Sequence, residues 1–139
     1  VNTESLSALL RLRYQQNGWA LVENVRDATG TQGQRYADAM AFGLYPSRGL
    51  EIIGLELKVS RSDWLRELKS PEKAEAVCRY CDKWYIVAGD KDIVKDGELP
   101  PTWGLMVPYG QVLRVTKEAT TPLSPVSIDR LLLASLVRS

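Results

Sequence analysis

The run Leu50-Glu-Ile-Ile-Gly-Leu-Glu-Leu-Lys-Val59 is apolar enough for a buried strand, yet it carries Glu56 and Lys58. Successive side chains of a strand point to opposite faces, so Glu56 and Lys58 share one face and Leu57 takes the other. Ionised groups are costly to bury without partners. The fold must therefore bring a partner to that face. Eighteen residues before Glu56, Asp38 lies in a second strand-like run, Arg35 to Tyr45, and Pro46-Ser-Arg-Gly49 turns one run back on the other. If Tyr45 pairs with Leu50 across a four-residue loop, antiparallel register sets Asp38 opposite Leu57, on the wrong face. One residue has to slip. A three- or five-residue connection, or a β-bulge between Asp38 and Glu56, is the expected remedy. An acid on one strand and Glu-x-Lys on the next suit metal-assisted phosphodiester hydrolysis, where a cation and a phosphate supply the missing partners.

The elements around this hairpin follow from local pattern. Thr3 to Gln16 has Leu6, Leu9 and Leu10 at helical spacing, with Thr3 as the expected N-cap and Asn17-Gly18 as the stop. Trp19 to Val25 alternates as a strand, and a loop with Gly30 and Gly33 follows. After Lys58, Ser60-Arg-Ser-Asp63 has capping-box spacing ahead of Trp64, Leu65 and Leu68. Ser70-Pro71-Glu72 repeats the start signal for a helix running to about Asp82. Lys83 to Ala88 is a compact buried strand. A short helix and loops are expected over Asp90 to Pro101, then a hairpin of Trp103–Val107 and Val112–Thr116 about Pro108-Tyr-Gly110. Ser127 is the expected cap of a last helix whose Ile128, Leu131, Leu132 and Leu136 need a surface to cover. That helix could dimerise as readily as pack internally.

The whole is an α/β chain with a mixed sheet flanked by helices. At 139 residues one domain is expected, with a core over about 3–117, a linker over 118–126 and a C-terminal helix over 127–138. No apolar stretch approaches the roughly 20 residues of a membrane span. The opening Val-Asn-Thr-Glu-Ser lacks the pattern of a secretory signal, so a cytoplasmic location is expected.

The chain has no His, which removes Ser-His-Asp, Cys-His and His-base schemes and leaves acids, Lys and Tyr to carry any chemistry. Cys78 and Cys81 cannot build a four-ligand zinc site alone, and with Ala74 and Val77 they form the stripe of a buried helix face. They read as core residues rather than a redox pair. The formal charge of +1 is low for a protein gripping DNA over a wide surface, although acidic metal ligands lower such a sum. Neither a Gly-x-x-x-x-Gly-Lys loop nor Gly-x-Gly-x-x-Gly occurs, so nucleotide-driven and dinucleotide chemistry lack support.

Arg35-Tyr-Ala-Asp38 and Glu56-Leu-Lys58, with a helix directly after, resemble the Asp and (D/E)xK elements of the PD-(D/E)xK nuclease superfamily. The longer run Glu56-Leu-Lys-Val-Ser-Arg-Ser-Asp-Trp-Leu65, with Tyr80-Cys-Asp82 ahead of Trp-Tyr-Ile-Val, resembles its phage and bacterial branch related to MmcB-type DNA repair proteins. The resemblance covers roughly residues 3–117. Ala37 stands where the Pro of the motif's name would be. It implies a restriction endonuclease-like fold with an αβββαβ core, here extended by a C-terminal hairpin and helix. The activity it implies is Mg²⁺-dependent DNA cleavage, with Mn²⁺ as a substitute, in a bacterial or phage-infected cell. Asp38, Glu56 and the Leu57 carbonyl would bind the metal, with Glu4 of the opening helix as a further ligand. Lys58 would orient or deprotonate the attacking water. Arg35, Arg61, Lys73 and Tyr80 are the expected DNA contacts. The competing reading is a catalytically idle DNA-binding or protein-interaction module on the same fold.

Overall fold

Six strands form one sheet in chain order. The computed structural model describes residues 1–26, 35–70, 74, 77–121 and 125–138, without the side chains of 35 and 36. The elements are α1 (Thr3–Arg13), β1 (Trp19–Arg26), β2 (Arg35–Gly43), β3 (Ile52–Lys58), α2 (Arg61–Lys69), β4 (Lys83–Ala88), β5 (Gly104–Tyr109), β6 (Val112–Lys117) and α3 (Arg130–Arg138). Ala74, Val77 and Cys78 are also helical. The pairs β1–β2, β2–β3 and β5–β6 are antiparallel, whereas β3–β4 and β4–β5 are parallel. The sheet is therefore mixed, and its central parallel strand β4 is buried almost end to end, as the unbroken apolar run Trp84–Ala88 requires.

Strand alternation divides the core into two. On one face, Leu6 and Leu10 of α1 cover Ala39, Ala41, Leu55, Leu57 and Val87. On the other, Trp64 of α2, Val77 and Leu132 of α3 pack with Met40, Trp84 and Ile86. Two caps depart from expectation. The first helix is capped by Asn2, whose side chain accepts the Ser5 amide at 2.8 Å while its own N–H donates to Ser5 Oγ at 3.0 Å. The last is capped by Asp129, which accepts the Leu132 amide at 2.8 Å, rather than by Ser127. At α2 the Ser60 cap is present, with the Asp63 amide donating to Oγ at 3.1 Å.

No helix forms between Asp90 and Pro101. There Glu98 ties the chain down instead, accepting the Lys95 amide at 2.8 Å, Trp64 Nε1 at 3.1 Å and an Arg61 N–H at 2.6 Å. The second hairpin turns one residue later than expected, through Gly110 and Gln111, with Gly110 at φ 64° and Tyr109 paired to Val112. Leu132 and Ser135 turn α3 inward, and Ser135 Oγ donates to the Arg26 carbonyl at 2.7 Å. Leu131, Leu133 and Val137 remain exposed on its other side. Among the described residues no helix is long and apolar enough to cross a membrane.

Candidate active site

The slip demanded by the hairpin occurs in its turn. Pro46–Arg48 forms a single 3₁₀ turn, closed by Gly49 at φ 68° and by Leu50 at φ 51°. Gly43 N–H then donates to Glu51 O at 2.7 Å, and the ladder runs back to Ala39 opposite Leu55. One further step places Asp38 opposite Glu56. The alternative remedy, a bulge between these two strands, is not used over their paired residues; a register shift occurs one strand away, in β1 at Val25/Arg26 beside Asn24 at φ 57°.

The β2–β3 ladder stops at Ala39 and Leu55. The next rung would join Leu57 to the Ala37 carbonyl, but the Leu57 amide donates to Asp38 Oδ2 at 2.8 Å instead. A strand residue sends its N–H and C=O to the same side. The Leu57 carbonyl therefore points toward β2 as well, while the Lys58 carbonyl accepts from Gly89 on the β4 side. The carboxyl groups of Asp38 and Glu56 meet in a hydrogen bond where the two strands part. Burial, and then that bond to Asp38, hold the Glu56 carboxyl well above the usual carboxylate range. At neutral pH one acid of such a pair retains a proton.

Lys58 shares this face. Its Nζ lies 2.9 Å from Glu67 Oε1 of α2, with the two side chains only 11 % and 10 % exposed. Burial pulls the ammonium pKa down, but the Glu67 hydrogen bond and the charges of Glu56, Glu67 and Asp63 outweigh it and raise it. Glu67 was missed in the sequence. Its signal was its place between Trp64 and Leu68, on the inward stripe of the helix that Ser60 starts.

Other expected site residues are placed elsewhere. Glu4 is 78 % exposed and pairs at 3.1 Å with Arg11, which also holds Glu23 at 2.9 Å. The Asn2 cap sets this phase, and α1 covers the face opposite Glu56 and Lys58, so Glu4 is not brought to Asp38. Arg61 is bound to Glu98 and to the Ile93 carbonyl at 2.8 Å, which ties its guanidinium to the 93–98 segment rather than leaving it open to a phosphate. The Tyr80 ring is 3 % exposed and its hydroxyl donates to Asp129 at 2.7 Å, joining two parts of the chain. Asp82 is likewise structural, its carboxylate accepting the Ile52 amide at 2.8 Å. The side chains of Arg35 and Lys73 lie outside the described residues. Cys81 is buried and its thiol is pushed up by burial, so it lacks the depressed pKa of a redox thiol.

Two carboxylates and a backbone carbonyl form a hard oxygen set, which fits Mg²⁺, an ion often bound by one or two carboxylates plus water and substrate phosphate. Among the described residues no group of three His, Cys, Asp or Glu side chains is arranged to hold a metal. Asp38, Glu56 and the Leu57 carbonyl are the groups that would hold such an ion.

The chain is similar to a solved structure, the SPO1766 protein of unknown function from Silicibacter pomeroyi. The two are 21 % identical with a TM-score of 0.60, over 96 % of this chain and 78 % of that one. At this identity the likeness shows the fold alone. No protein-family model and no curated protein matches the chain.

Proposed function

We propose that this chain is a Mg²⁺-dependent DNA nuclease with a restriction endonuclease-like fold, of the PD-(D/E)xK superfamily, working in phage or bacterial DNA processing or repair. The observation that carries the reading is the meeting of the Asp38 and Glu56 carboxyls where β2 and β3 part, with Lys58 on the same face. Asp38, Glu56 and the Leu57 carbonyl would hold Mg²⁺, and Mn²⁺ would substitute. The ion supplies positive charge to the phosphodiester and acidifies nearby water. Lys58, held charged by its neighbours, orients the attacking water and stabilises charge building on the phosphorus oxygens rather than abstracting a proton.

A second reading, an idle DNA-binding or protein-interaction module, draws support from the neutralisation of Lys58 by Glu67. The two separate on plasmid, linear duplex and single-stranded DNA incubated with Mg²⁺, Mn²⁺ or EDTA, beside Lys58→Ala. Metal-dependent cleavage that falls by roughly 10²–10³-fold in the variant is the expected result. DNA left intact under every condition overturns the nuclease reading.

A further inference from the structure

Glu67 is a carboxylate that neither the strand motif nor the resemblance singles out, and α2 turns it toward the sheet. Trp64 and Leu68 already give that side of the helix its apolar anchor. A buried ion pair adds little to such packing, because apolar residues of similar volume hold two elements together as well or better. What the pair does provide is location. A lysine ammonium sits on a flexible four-carbon stem and occupies one place only when something holds it. On β3 the stem starts two residues beyond Glu56, and Glu67 reaches the ammonium from the helix above at 2.9 Å. The N-cap Ser60 connects the two elements within two residues of Lys58, so the helix's first turn sets where Glu67 can reach.

We propose that Glu67 is a positioning residue that fixes the Lys58 ammonium beside the Asp38–Glu56 pair. This inference rests on the reading of the site as a phosphodiester-cleaving centre. Glu67 touches neither the cation nor the DNA; it acts through Lys58. Removing its acceptor oxygens lets the ammonium wander, and a misplacement of about 1 Å at a reacting centre can cost roughly 100-fold in rate.

The test compares Glu67→Gln, which keeps an acceptor oxygen, with Glu67→Met, which has similar length and none. DNA cleavage at saturating Mn²⁺ and Mn²⁺ affinity by calorimetry are both measured. Glu67→Met should lose roughly 100-fold in kcat with KM and Mn²⁺ affinity nearly unchanged, and Glu67→Gln should recover most of that loss. Should Glu67→Met fail to fold, Lys58→Met/Glu67→Met leaves no unpaired buried charge, and its rate should equal that of Lys58→Met alone. Wild-type kcat in Glu67→Met, an equal fall in Mn²⁺ affinity, or a double variant slower than Lys58→Met overturns the assignment. An inactive wild-type chain instead overturns the nuclease reading, and this inference with it.

Discussion

The Asp38 carboxylate replaces a main-chain rung, taking the Leu57 amide that Ala37 would otherwise bind, and so parts two strands without orphaning a buried donor. Its neighbour Glu56 then carries the electrostatic consequence. A carboxyl whose folded pKa lies above its unfolded value keeps its proton longer in the native state. Without metal, stability should therefore fall as pH rises from about 4.5 toward the folded value. On the proposed reading a divalent cation would take the proton's place. Mn²⁺ binding should release close to one proton and tighten with rising pH near neutrality, checked by calorimetry in buffers of different ionisation enthalpy. Affinity independent of pH would show both acids already ionised. That Glu56 and Lys58 share a face, and that Asp38 needs a one-residue slip to join them, could be read from types and spacing because strand alternation is strict. Glu67 could not, since its role depends on which way α2 rolls over the sheet.

At the scale of elements, two junctions carry the site. Segment 93–98 is fastened to α2 through Glu98, whose carboxyl is lowered to about 2 chiefly by the Arg61 hydrogen bond and then by the Lys95 amide. Its contribution is present above the unfolded pKa of about 4.5 and lost as pH falls through the folded one. The stability gap between wild type and Glu98→Gln should thus be widest near neutrality and close in acid, as followed by urea denaturation. The second junction is β3 on β4, where Gly54 lies under the Trp84 ring and an added Cβ would overlap the ring carbons. Trp84 is hemmed in by Trp103, so Gly54→Ala should destabilise by about 1–3 kcal/mol in urea titration. A change within a few tenths would mean the ring has room. Lys83–Ala88 was readable to the residue because a buried central strand has an unbroken apolar run. Asp90–Pro101 was not: its ties are side-chain bonds to α2, which leave no local periodicity.

Across the whole molecule, α1 covers one face of a mixed sheet, and α2, α3 and the helical residues Ala74, Val77 and Cys78 cover the other. The mixed sheet with flanking helices followed from the order of patterns along the chain, but the parallel pairing of β3, β4 and β5 rests on contacts distant in sequence. Placing α1 opposite the acidic pair keeps Glu4 with Arg11, so on the proposed reading two carboxylates would serve the cation. Anomalous diffraction from crystals grown with Mn²⁺ tests this most directly. One peak between the Asp38 and Glu56 carboxylates, within bonding reach of the Leu57 carbonyl, is the predicted result; a map with no peak there, or with Mn²⁺ held only at other acids, would contradict it.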